Sequence, residues 1–140
     1  MYDLSRFTNA QKHDYETALA EIRSGRKRSH WMWYIFPQIQ GLGRSQTAQF
    51  YAIRDLGEAA AYLNDPYLGK NIREISKALL EIEGSSASRI FGSPDDMKLR
   101  SSMTLFALAS QDNQVFRDVL AKYYHGKMDE RTVKIVNAEK

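Results

Sequence analysis

Residues 26–38, RKRSHWMWYIFPQ, decide how the chain is read. Arg26, Lys27, Arg28 and His30 stand directly against Trp31, Met32, Trp33, Tyr34, Ile35 and Phe36, and Pro37 stops the run. The apolar part is hydrophobic on every face, so periodicity alone does not separate a buried short helix from a buried strand. A strand needs a partner, however, and no other segment offers a convincing one, while the neighbouring segments carry helical spacing. The stretch is therefore read as helix, with Ser29 as its N-cap, and the fold class follows as all-α.

The segments on either side agree. Tyr15, Ala18, Leu19 and Ile22 follow i, i+3, i+4, i+7 spacing, and Gly25 lies beyond Arg23, where a helix would end. Downstream, the two glycines of GLGRS (41–45) mark a tight loop, and residues 46–53 are compatible with a helix or a bridge. Asp55 caps a helix through LGEAAAYLN. The next runs from Pro66 through IREISKALLEI, with Ile72, Ile75, Leu79 and Ile82 on one face and Gly84 closing it. SPDD (93–96) predicts a helix start, with Ser93 as N-cap, Pro94 at N1, Asp95 and Asp96 in the first turn, and Asp96 completing a capping-box-like pair. VFRDVLAKYYHG collects Val115, Val119 and Tyr123, with Phe116, Leu120 and Tyr124 beside them, on one broad face and ends at Gly126. The tail from Asp129 can form one more short helix. The expected architecture is a single domain over residues 1–140, a compact bundle of about six or seven helices with little or no sheet.

Composition bounds the chemistry. A chain of 140 residues can bury roughly two thirds of its unfolded surface. Cysteine is absent, which excludes thiol nucleophiles and cysteine-ligated zinc and makes the cytoplasm the default expectation. The N-terminal sequence has no apolar h-region, and the longest apolar run, residues 31–36, is far too short to span a bilayer, so neither export by that route nor a membrane span is expected. A net charge of +3 and a pI near 9.1 favour anionic partners without naming one.

Five features are candidates for function. Arg23, Arg26, Lys27 and Arg28 crowd a helix end, where they complement its dipole or hold phosphate; arginine suits the second task through its planar fork, and Arg28 is taken as a ligand-binding candidate. His30, between the cationic and aromatic runs, is the candidate acid–base residue; the alternative is a histidine that only hydrogen-bonds backbone. Its spacing from His13 and His125 is not that of a metal site, and no metal or cofactor is implied. On a helix, His30, Trp33, Tyr34 and Pro37 share one face, so Trp33 and Tyr34 could line a cleft and stack a ring while Met32, Ile35 and Phe36 are core. GLGRS has the composition of a phosphate-cradling loop with Arg44 supplying charge, but meets neither the P-loop nor the dinucleotide fingerprint. In KLRSSMT (98–104), Lys98, Arg100 and Ser101 are candidate phosphate ligands, although close helix packing explains the serines equally well.

The stretches RKRSHWMWYIFPQ, GLGRS, AYLNDPYLG and IFGSPDDMKLRSSMTLFA resemble a bacterial and fungal family, domain of unknown function 1810, some members of which carry the label calpastatin. The similarity covers nearly the whole chain and implies a mainly helical single domain. It supplies no activity. The calpastatin label sits poorly with an aromatic-rich chain lacking low-complexity, disordered character.

Two functional expectations follow. The first is a cleft for a phosphorylated or nucleotide-like small molecule, lined by His30, Trp33, Tyr34, Arg44 and Arg100, with acid–base catalysis at His30. The second is a non-catalytic module that binds nucleic acid or an acidic protein through Arg23, Arg26, Lys27 and Arg28. A purely structural or partner-docking role would leave the same motifs as packing devices.

Overall fold

The structure, a computed structural model, describes residues 2–138. Its helices are α1 (Ser5–Arg23), α2 (Met32–Ile35), α3 (Gln46–Phe50), α4 (Leu56–Asn64), α5 (Pro66–Glu81), α6 (Ala87–Phe91), α7 (Asp95–Ala109), α8 (Gln114–Tyr124) and α9 (Glu130–Ala138). The expectation of an all-α chain holds, and the count of nine among the described residues exceeds the expected six or seven because short helices form where tertiary contacts, not periodicity, stabilise a single turn. Helix α6 is one such element. Residues 46–53 resolve into both predicted forms: α3, then a lone parallel bridge between Ile53 and Ile39.

Helices α4, α5, α7 and α8 form the centre, with α4 and α8 each touching both α5 and α7. Helices α1 and α2 close the α5 side, and α6 and α9 close the α7 side. An aromatic chain crosses the middle. Phe7 meets Tyr62 at 5.2 Å, Tyr62 meets Phe106 at 5.1 Å, and Phe106 meets Phe116 at 5.9 Å, so four helices share one apolar seam. Each such pair contributes about 0.5–1.5 kcal/mol beyond area burial.

Several polar groups inside this core satisfy one another, whereas the buried Ser102 hydroxyl has no partner among the described residues. Gln11 donates to the Tyr34 carbonyl (2.8 Å) and the Tyr62 hydroxyl (2.7 Å), and accepts from Asn71 (3.0 Å), which ties α1, α2, α4 and α5 together. Asp65 turns the chain between α4 and α5, accepting from the Tyr67 and Leu68 amides as N-cap. The corner is so tight that a Cβ on Gly69 would lie 2.0 Å from the Leu63 carbonyl oxygen, so only glycine fits there.

Two predicted caps are corrected. Ser29 is not the N-cap of the aromatic helix: Trp31 holds that position without a side-chain bond, and the Ser29 hydroxyl donates to Glu21 instead (2.5 Å). Likewise α7 begins one residue later than its sequence suggests, with Pro94 as N-cap and no side-chain cap from Ser93. Asp96 accepts from the adjacent Met97 amide (2.9 Å), and Asp95 pairs with Lys27 (3.0 Å) and Lys98 (3.6 Å). At Ser29 a local cap lost to a more distant partner, the Glu21 carboxylate.

The polar run of α7 is used for packing. Arg100 donates to the carbonyls of Lys127 (2.9 Å) and Met128 (2.8 Å), and Thr104 accepts from the Asp129 amide (2.9 Å), so the turn between α8 and α9 is bolted onto α7. Arg100→Ala removes two charge-assisted bonds and is expected to cost about 1–3 kcal/mol, measured by urea unfolding. Arg100→Lys should recover only part of that loss, since an ammonium lacks the fork.

Glu21 sets a pH dependence. Partial burial pushes its carboxyl up, but hydrogen bonds from the Ser29 hydroxyl, the Arg28 amide, the Trp31 indole and the Ser29 amide outweigh this and lower it from 4.5 to about 2. Because the folded value is depressed, the stabilisation is present above pH 4.5 and is lost as pH falls towards about 2. Glu21→Gln should lower the melting temperature at pH 7 and flatten its decline across that acid window, as followed by circular dichroism.

Candidate functional site

The candidates at residues 26–34 are sorted by one carboxylate. Glu21 Oε1 accepts from the amides of Arg28 (2.7 Å) and Ser29 (3.0 Å) and from the Trp31 indole N–H (3.0 Å), while Oε2 takes the Ser29 hydroxyl. Exposure then alternates along the loop: Arg26, Arg28 and His30 face solvent, and Lys27 and Ser29 turn inward. Lys27 is a strut, its side chain 8 % exposed and its ammonium bound to Asp95 and the Ser29 carbonyl (2.6 Å) and lying 5.1 Å from the Trp31 ring. The His30 ring has no hydrogen bond or ion pair among the described residues; its carbonyl accepts from the Tyr34 hydroxyl at 3.3 Å.

Tyr34 and Trp33 point apart. Tyr34 is buried against α1, its hydroxyl donating to Asp14 and its ring 5.0 Å from Tyr51. Burial first, and then the Asp14 carboxylate, push its phenol above the ordinary value of 10. Trp33 is half-buried on the opposite side, with the Lys98 ammonium 5.8 Å from its ring. Trp33 and Lys98 line a narrow, partly open cavity together with Met32, Phe36, Gly43 and Tyr51. Of the residues singled out by sequence, these two are brought together. Arg100 and Ser101 lie elsewhere, the first occupied by carbonyls and the second donating to the Met97 carbonyl (3.2 Å). The Arg44 side chain is exposed and unbonded among the described residues, and its carbonyl accepts from Gln49 (2.8 Å).

A larger opening lies on the other side of Gly43. It measures about 760 Å³ and is lined by Asp3, Arg6, Gln40, Gly41, Gly43, Gln49, Phe50 and Arg54. That size falls within the usual range for small-molecule sites. Phe50 is 60 % exposed at its edge. The guanidinium of Arg54 makes no hydrogen bond or ion pair among the described residues, whereas Arg6 is occupied by the carbonyls of Asp3, Phe50 and Ala52 and by Glu58. Backbone amides 41–45 donate to no acceptor among the described residues. Asp3 is held below its ordinary carboxyl value, first by hydrogen bonds from Ser5 and then by the charges of Arg6 and Arg54.

Sequence reasoning reached the glycine loop of this cleft but missed Arg6, Phe50 and Arg54. Phe50 carried a signal, as a large apolar side chain in a short polar segment. Arg6 and Arg54 carried none; forty-odd residues separate Arg6 from the Phe50 and Ala52 carbonyls it binds. Among the described residues no group of His, Asp or Glu could hold a metal ion, and no helix is long and apolar enough to cross a membrane.

The fold recurs in a known structure. The chain is 49 % identical to the conserved hypothetical protein Rv1873 from Mycobacterium tuberculosis, with a TM-score of 0.96 over 97 % of each chain. No curated protein matches it. A family described as "Protein of unknown function (DUF1810)" matches residues 1–136, and the chain belongs to that family.

Proposed function

We propose that the protein is a cytoplasmic domain that binds a phosphorylated, nucleotide-like small molecule in the cleft beside the glycine loop. The observation that carries this reading is the meeting of an exposed aromatic ring, Phe50, and an unpaired guanidinium, Arg54, around a cleft of about 760 Å³ lined by Gly41 and Gly43. A free guanidinium donates two parallel bonds to a phosphate, and backbone amides near glycine approach an anion closely. Phe50 offers a π-face to a ring, and Asp3, Gln40 and Gln49 offer partners for sugar hydroxyls. His30 lines none of the clefts described above, so the reading is one of binding, without an assigned catalytic group.

A second reading, a surface for nucleic acid or an acidic protein, is favoured by the alternation at residues 26–30. It leaves Arg26 and Arg28 free at the surface beside the exposed Arg89 of α6, where the Lys27 amide donates to the Ile90 carbonyl (2.7 Å). Such binding would weaken steeply with salt.

Thermal-shift measurements against nucleoside mono- and diphosphates, ADP-ribose and sugar phosphates separate the two. A ligand at a hundred times its Kd should stabilise the fold by about 2.7 kcal/mol. The shift should fall in Arg54→Ala and Phe50→Ala, and Arg28→Ala should keep it. No shift across the panel, with salt-sensitive oligonucleotide binding lost in Arg26→Ala/Arg28→Ala, would favour the surface instead.

A further inference from the structure

Residues 40–50, between the cleft and the Trp33 cavity, have the construction of a flap. No residue in positions 40–52 is buried, whereas Ile39 and Ile53 at the two roots are 1 % and 0 % exposed. The roots are clamped together: Gln40 N–H donates to the Ile53 carbonyl (2.7 Å) and Ile53 N–H to the Gln38 carbonyl (2.9 Å). Tyr51 anchors the C-terminal limb, its ring 6.1 Å from Phe7 and 5.0 Å from Tyr34. Arg6 latches the same limb, through Nε to the Phe50 carbonyl (2.9 Å) and Nη2 to the Ala52 carbonyl (2.8 Å). A segment that buries so little opens at far lower cost than the helices beneath it.

The cavity below the flap is walled by Met32, Trp33, Phe36, Tyr51 and Lys98, with Gly43 and Ala48 of the flap on its lining. Its free volume is about 10 Å³, room for about one water and nothing larger. Gly43 is pressed so closely to Ala48 that a Cβ on it would lie 2.5 Å from the Ala48 Cβ. Gly43 and Ala52 line both this cavity and the open cleft, so the flap is the partition between them.

We propose that this narrow cavity is a second compartment of the same site, which admits the planar base of a nucleotide when the flap lifts about its roots. The inference rests on the cleft reading above. With the phosphate at Arg54, the base enters against the Trp33 face, and Lys98 supplies donors to a ring carbonyl or ring nitrogen. The walls set the ligand class: they are aromatic and apolar apart from Lys98 and Gln38, which suits a flat heteroaromatic ring and rejects a bare sugar phosphate.

Two measurements test it. Hydrogen exchange on the unliganded protein addresses the flap: Arg6→Lys keeps a charge beside Glu58 but loses the fork, and should speed exchange at residues 48–53 at least tenfold while α5 is unchanged. Calorimetry with AMP and ribose 5-phosphate addresses the compartment. AMP should bind at least tenfold tighter and slow exchange at residues 46–50, and Trp33→Leu and Ala48→Phe should each abolish that preference. Equal affinity for the two probes, or a preference that survives both substitutions, would overturn the second compartment and leave the phosphate cleft standing. Absence of binding by either probe would overturn both readings, and uniform exchange between flap and α5 would overturn the flap.

Discussion

The Glu21 carboxylate organises the part of the molecule on which the candidate sites depend. Two backbone amides, a hydroxyl and an indole N–H converge on it from residues 28–31, so the loop after α1 has a single low-energy path. A carboxylate accepting this many hydrogen bonds in a partly desolvated place is strongly held in its ionised form. The consequences run outward from there. Lys27 must turn in, towards Asp95; Arg26, Arg28 and His30 must turn out; and Trp31 is fixed where α2 begins. Because α2 is a single turn, fixing its start also fixes the opposite headings of Trp33 and Tyr34.

The same logic sorts the basic residues into two populations. Arg6, Lys27, Arg100 and Lys122 are struts, each satisfying carbonyls that helix ends or loops leave open; the Lys122 ammonium, for example, reaches the Leu80 carbonyl at 2.7 Å near the end of α5. Arg26, Arg28, Arg44, Arg54 and Arg89 keep their guanidinium groups free among the described residues. The net charge of +3 therefore understates the difference between cations taken up by the protein's own carbonyls and carboxylates and cations offered to solvent. Anion recognition belongs to the second population. Arg54 stands apart within it because it lies in a cleft beside an exposed ring.

The cleft and the flap depend on each other through Arg6. This guanidinium lines the open cleft, holds the C-terminal limb of the flap, and pairs with the buried Glu58 carboxylate at 2.9 Å. A group committed to so many acceptors is a poor ligand for an incoming anion but a good lever, since any anion near it competes with the carbonyls that keep the flap down. The glycine loop serves this arrangement twice. Gly41 and Gly43 border the cleft, and the absence of a side chain at Gly43 lets the partition close against Ala48.

By itself, the sequence determined the features that arise within a few residues of one another. Hydrophobic spacing located α1, α5 and α8; the Asp55 cap, Pro66 and Gly25 placed helix ends; and the lack of a pairing strand pointed to an all-α fold. The tertiary structure decided everything that depends on distant partners. Ser29 and Ser93 look like caps locally, but Glu21 offers Ser29 a stronger, charged acceptor and α7 starts beyond Ser93. Arg100 reads as a phosphate ligand in KLRSSMT until the chain returns at Lys127 and Met128 and takes both arms of its fork. Phe50 and Arg54 meet the glycine loop because the Ile39–Ile53 bridge folds the intervening segment back on itself. Helix periodicity is a local property of the chain, whereas which polar group wins which partner is settled by burial and by the competition among all groups the fold brings within reach.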